Sequence, residues 1–213
     1  MFLILSERAV ISLCANTAKK EPFSGDFKVL VIFGSPRKNG YTARLLNAFL
    51  DGLPQNAVID RYNCFQHPPL PCNDCRYCHS SEGCAYSDLD DFYLKLKKAD
   101  LLVFAAPVYN LSFPAPMKAL IDRMQIYWAA RFKRNVRPPI RHAKTAILLT
   151  TCGSDSQDGG EMLERQLKPV LTILNACLTH TIHYTGSDKD RPAEMYMKQA
   201  SDAAQSFFSK NYC

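Results

Sequence analysis

The chain has 213 residues, of which 47% are hydrophobic and 22% charged, the balance of a globular protein, which excludes global disorder. A chain of this length has room for one ordinary domain and buries roughly 70% of the surface its unfolded form exposes, so a core forms without disulfide staples. The net charge of +6 is too mild for a dedicated nucleic-acid binder, and no apolar run reaches the roughly 18 residues of a membrane span. Residues 1–5 are apolar but are cut short by Ser6, Glu7 and Arg8. With no basic segment before them, a signal peptide is not expected and a cytoplasmic location is. Residues 1–26 precede the first clear structural signal and read as an N-terminal extension; residues 27–213 read as one domain.

Residues 28–33 form a continuous apolar run ended by the turn-forming residues 34–40, the pattern of a strand buried on both faces. Leu45, Leu46, Phe49, Leu50 and Leu53 follow at helical spacing within 42–53. A strand is predicted over 58–62. A helix follows over 87–98, with Ser87 as its cap and Asp88, Asp90 and Asp91 at the positive end of its dipole. Residues 101–106 read as a buried strand, 114–127 as a helix opened by proline, 145–150 as a strand and 161–175 as a helix. A weaker strand over 178–184 and a helix over 192–208 complete the pattern. Alternating strands and helices predict an α/β, doubly wound, five-stranded parallel sheet with helices on both faces. The irregular part is an insert after strand 2, about residues 64–86.

In such a sheet ligands bind beyond the carboxyl ends of the strands, which directs attention to three loops. The first runs from Gly34 to Thr42. It lacks the Rossmann G-x-G-x-x-G, and it is not a P-loop: five residues separate Gly34 from Gly40, and Tyr41 stands where the lysine should be. It suits a terminal phosphomonoester at a helix N-terminus, with Ser35, Asn39 and Thr42 as donors, Arg37 adding charge, and Gly40 and Tyr41 opening the helix. The second loop, Pro107, Val108, Tyr109, Asn110 and Leu111, offers an aromatic ring, an amide and stiff backbone for a flat heteroaromatic ring. The third, Thr151, Cys152 and Gly153, is small and polar. A basic stretch with Arg131, Lys133, Arg134, Arg137, Arg141 and Lys144 reads as a solvated loop broken by Pro138 and Pro139, or as a surface for a phosphorylated or acidic partner. His180 and His183, three apart in a strand, face opposite sides and read as structural.

The chain has nine cysteines, four of them spaced Cys72-x2-Cys75-x2-Cys78-x5-Cys84. Three at successive i, i+3 positions plus one more wrap a [4Fe–4S] cluster from one compact loop, as in bacterial ferredoxins. Structural zinc uses two knuckles set further apart. A cluster, zinc and free thiols all remain open. Cys14, Cys64, Cys152, Cys177 and Cys213 lack such spacing and read as core or surface thiols.

Residues 34–42, Pro107 to Tyr109 and 118–123 together resemble the flavodoxin-like NAD(P)H-dependent FMN reductases. The cysteine insert followed by Asp90 and Asp91 is similar to the iron–sulfur flavoproteins among them. The resemblance covers about residues 28–185; Tyr41, the N-terminal extension and the basic proline-containing stretch depart from it. It implies a flavodoxin-like fold and an FMN phosphate on Ser35 to Thr42. It places the isoalloxazine against Pro107 to Leu111 and Thr151 to Ser154, and a [4Fe–4S] cluster on the four cysteines. Lys118, Asp122 and Arg123 match the family pattern and are read as helix and interface structure. The implied activity is hydride transfer from NAD(P)H to the flavin and onward transfer of electrons to a flavin, quinone or protein acceptor. The alternatives are a one-electron carrier without NAD(P)H activity and a non-catalytic binding protein. Flavin sites in that family often form at subunit contacts, so a homodimer or higher oligomer is expected.

Overall fold

A computed structural model describes residues 26–189 and 192–211 of the chain. Five strands, β1 (Phe27–Phe33), β2 (Ala57–Asn63), β3 (Leu101–Pro107), β4 (Lys144–Thr151) and β5 (Ala176–Tyr184), form one parallel sheet in the order β2-β1-β3-β4-β5. This is the flavodoxin-like order, whose switch point lies between β1 and β3. The central strands carry the apolar runs because both faces are covered: every residue of β4 is buried, and all of β3 except its terminal Pro107. β2 pairs only with β1 and sits at an edge, so Val58 and Ile59 remain exposed.

The helices are α1 (Tyr41–Asp51), α2 (Tyr77–Ser80), α3 (Asp90–Lys98), α4 (Ala115–Arg123), α5 (Gln125–Phe132), α6 (Asp158–Ile173) and α7 (Ala193–Asn211). Leu45, Leu46 and Phe49 of α1 and Ala200 and Ala204 of α7 pack on one face, against Val29, Val31, Val103 and Ile147. The opposite core joins Leu30, Ile32, Leu102, Phe104 and Leu148 to Phe92 of α3, Met117 of α4, Ile126 of α5 and Leu163 of α6. No helix among the described residues is long and apolar enough to cross a membrane.

Several boundaries differ from the sequence reading. Ser87 caps nothing: α3 begins at Asp90 behind Leu89, with no side-chain cap. Asp88 is occupied instead by Arg123 and the Leu70 N–H. The single helix expected over 114–127 is two, because the Met124 N–H turns back to Ile121 O at 3.1 Å, the tighter i→i−3 step, before α5 starts. α6 begins at Asp158, three residues earlier than expected, through Gly159 and Gly160. Glycine is a poor helix former, but here the helix meets its neighbours at close range. A Cβ on Gly159 would lie 2.8 Å from Val108 Cγ1, and one on Gly160 would strike the His183 ring. Most of the basic stretch is a partly exposed loop, as expected; Lys144 is not, being fully buried at the start of β4 with its ammonium on the carbonyls of Lys97 and His142. All of the expected extension except Asp26 lies outside the described residues, as do Cys14 and Cys213. Cys64 is a buried free thiol, pushed up to about 12 by that burial, whereas Cys177 is disulfide-bonded rather than a thiol.

Candidate functional site at the switch point and the cysteine cavity

The loops after β1, β3 and β4 meet at one end of the sheet and are laced together there. Gly34 N–H donates to Ala105 O at 2.8 Å, Val108 N–H donates to Thr151 O at 2.9 Å, and the hydroxyls of Thr42 and Thr151 bond at 2.6 Å. The last contact joins the start of α1 to the end of β4 across 109 positions of sequence.

The first loop is built close to the core. A Cβ on Gly34 would overlap Met117 Sδ and lie 3.0 Å from Met117 Cβ, in a fully buried side chain. Gly34→Ala is therefore expected to lower stability by about 1–3 kcal/mol, the usual cost of overpacking. Chemical denaturation of Gly34→Ala, Met117→Val and the double variant checks this: the second change recovers most of the loss if the overlap is its cause. Ser35 and Thr42 are buried, whereas Arg37 and Asn39 are exposed. Ser35 Oγ accepts the Arg37 N–H at 3.3 Å. The first turn of α1 holds no acidic residue, so its positive dipole end faces the loop uncompensated. Gly40 precedes the helix in extended backbone. The Tyr41 ring turns toward Tyr184, at 5.2 Å between centroids.

In the second loop Tyr109 and Ser112 exchange both backbone hydrogen bonds around Asn110 and Leu111, at φ of 50° and 57°. Two central residues at positive φ are what a type I′ turn requires. Leucine there costs about 1–2 kcal/mol, strain of the kind that gathers at functional loops. Gln166 of α6 holds the tip, bonding Leu111 O at 3.2 Å and Ser112 Oγ at 3.3 Å. Tyr109, Asn110 and Leu111 are exposed, and Pro107 and Val108 half-buried. In the third loop Cys152 Sγ lies 3.2 Å from Ser154 Oγ, and Gly153 leaves no room for a Cβ beside the Asp188 carboxylate. His183 bonds Thr150 Oγ1 through Nδ1 at 2.6 Å, while His180 Nδ1 lies 3.1 Å from Thr179 Oγ1, which fits their reading as structural.

Thus the site residues expected in the first and third loops are joined directly through Thr42 and Thr151, and the second is held beside them by Val108. Sequence reading missed Met117 and Gln166, which shape these loops from helices; neither carries a local signal.

The four clustered cysteines are free thiols that line one cavity beside α2 and the α4–α5 junction. Burial raises the Cys78 thiol, and the nearby Cys84, Cys72 and Cys75 add to the rise. Among the described residues no group of three or more His, Cys, Asp or Glu side chains is gathered as for a single metal ion. The walls are held by Arg123. Its guanidinium, 1% exposed, meets the Asp88 carboxylate at 2.8 Å and Leu70 O at 2.8 Å, with Tyr86 O at 3.4 Å. Burial alone would lower its pKa, but the bonded Asp88 and the neighbouring Tyr93 and Cys84 outweigh that and raise it. Read from sequence as helix structure, Arg123 is the strut of the cysteine loop. Its nine-residue helix spans about 13 Å from the Tyr109 loop to that cavity.

A flavodoxin-like sheet whose loops after β1, β3 and β4 meet at its switch point defines the class, and comparison with known proteins narrows it. The model of the family described as NADPH-dependent FMN reductase matches residues 27–188. The chain belongs to that family. It is 34% identical over 98 residues to an iron-sulfur flavoprotein of Methanosarcina thermophila, covering 45% of this chain and 51% of that one. It is 28% identical over 174 residues to FMN-dependent NADH:quinone oxidoreductase 3 of Pseudomonas aeruginosa, covering 75% and 82%. The matches to several iron-sulfur flavoproteins span only about half the length of those relatives. In fold, it is similar to an NAD(P)H:quinone oxidoreductase from Methanothermobacter marburgensis, with a TM-score of 0.69 at 18% identity over 86% of this chain and 96% of that one.

Proposed function

We propose that this chain is an FMN-dependent oxidoreductase that takes hydride from NAD(P)H and delivers electrons to a flavin, quinone or protein acceptor, with its cysteine loop as the seat of a [4Fe–4S] cluster. The observation that carries the reading is the convergence of the three loops at the β1/β3 switch point, in a chain whose family is that of the FMN reductases. Bound there, FMN supplies the chemistry of hydride acceptance, which asks no acid or base of the protein.

The residues fit that role. Ser35 and Thr42 present buried hydroxyls at an uncompensated helix N-terminus, the environment that holds a phosphate, with Arg37, Asn39, Gly40 and Tyr41 completing the loop. Pro107 to Leu111 and Thr151 to Gly153 flank the same end of the sheet, where peptide N–H groups and the Tyr109 ring position a flat ring. The cysteines fit a cluster better than zinc. Three cysteines at successive C-x2-C spacing with a fourth further on wrap a cluster from one loop, whereas structural zinc uses two knuckles set further apart, and all four line one cavity.

Anaerobic purification with FMN, iron and sulfide analysis tests both parts, followed by addition of NADPH. Bound FMN that bleaches rapidly supports the oxidoreductase; FMN that stays oxidised while a protein donor reduces it fast makes the chain a one-electron carrier, and colourless protein with no FMN uptake overturns the reading. Cys75→Ala is expected to lose iron and keep FMN. Retention of full iron by that variant excludes the cysteine loop as the cluster seat.

A further inference from the structure

We infer that Arg123 is the potential-setting residue of the cysteine site, its guanidinium serving as cation and its Nε–H as hydrogen-bond donor to the sulfurs of the group held by Cys72, Cys75, Cys78 and Cys84. The inference rests on the proposal that these cysteines seat an iron–sulfur cluster.

Four observations lead to it. Arg123 lines the same cavity as the four cysteines and is 1% exposed there. Its two terminal nitrogens are fully used on Leu70, Tyr86 and Asp88, yet its Nε is buried with no partner. A charged N–H left unpaired in the interior is costly, and such exceptions call for an explanation. Finally, the contacts bracket the ligand loop: Leu70 lies two residues before Cys72 and Tyr86 two after Cys84. One guanidinium therefore holds both ends of the loop, and its unpartnered Nε–H belongs to a side chain that lines the space between them. The Tyr86 ring, 5.1 Å from the guanidinium carbon, covers it further.

The charge balance points the same way. Asp88 neutralises Arg123 once, but four thiolates bring more negative charge than any other part of the cavity wall. Each added electron makes that charge larger. A fixed cation and an N–H bond to sulfur stabilise the reduced form, and these are the terms by which a protein raises the reduction potential of such a cluster.

The test is the midpoint potential of the reduced cluster, followed by electron paramagnetic resonance during anaerobic dithionite titration of the full chain. Arg123→Gln is expected to retain iron and to lower the potential by about 59 mV or more, a tenfold change in a one-electron equilibrium. Arg123→Lys, which keeps the charge, stays closer to the parent. Asp88→Asn loosens the same loop contact but leaves the cation unneutralised, so it has to raise the potential; a role confined to bracing the loop gives no such opposite shift. An unchanged potential in Arg123→Gln, or an unchanged or lowered one in Asp88→Asn, overturns the inference while leaving the cluster in place. If Arg123→Gln does not fold, Asp88→Asn decides alone. Unsubstituted protein that takes up no iron and sulfide removes the cluster reading itself, and the assignment of Arg123 with it.

Discussion

Asp88→Asn is expected to lower folding stability by about 3 kcal/mol in urea denaturation at neutral pH. Breaking a buried ion pair by removing one partner costs about 3–5 kcal/mol, because the other charge stays in the interior uncompensated. The lower end applies because the Asp88 side chain is 26% exposed while that of Arg123 is 1% exposed. Asparagine also retains one acceptor for the guanidinium. The same pair sets an acid limit. Burial alone would raise the Asp88 carboxyl, but hydrogen bonds from Arg123 and the Leu70 N–H, with the Arg123 charge, outweigh it and lower the pKa from 3.8. A carboxyl depressed in the folded state stabilises fully above its unfolded value and loses that contribution as pH falls through the folded one. The stability gap between parent and variant should therefore be constant above about pH 5 and close progressively as pH falls below that. A gap that narrows already between pH 7 and pH 5, or a loss below 1 kcal/mol, contradicts this account of the loop.

Thr42→Val is expected to weaken FMN binding by roughly 1–3 kcal/mol, about 5- to 150-fold, measured by the return of flavin fluorescence on dilution. Two hydroxyls 2.6 Å apart share one proton between them, so the Thr42–Thr151 pair keeps its second proton to donate outward. Valine preserves the shape and removes one hydroxyl, leaving Thr151 without its partner. Thr42→Ser keeps the hydroxyl and should bind nearly as the parent does. Equal affinity for the parent and the valine variant removes Thr42 from the phosphate loop and leaves the loop's donors to be sought among backbone N–H groups.

The parts of this protein legible in its sequence are those whose signal is local. The run at 28–33 and that at 101–106 announce strands covered on both faces; the Leu45, Leu46, Phe49 spacing announces a helix face. The residues between Gly34 and Thr42 prompt the proposal of an anion loop by type and position. The Cys72, Cys75, Cys78, Cys84 spacing prompts the proposal of a ligand set without help from any other segment. Each of these follows from the period of a helix or strand, or from donor chemistry within a dozen residues.

What tertiary structure alone decided involves partners far apart in the chain. Arg123 reaches Asp88 across 35 positions and Leu70 across 53, which turned an apparent helix residue into the brace of the cysteine loop and took Asp88 from the first turn expected of α3. Gly159 and Gly160 sit in a helix that their propensity opposes, because Val108 and His183 occupy the space a Cβ would need. Lys144 is buried where a charged loop was expected, because backbone carbonyls of Lys97 and His142 receive its ammonium. The physical reason is common to all three. Periodicity records which face of an element is covered, but not which side chain covers it. Close packing and buried charge are settled by the partner that arrives from another part of the chain.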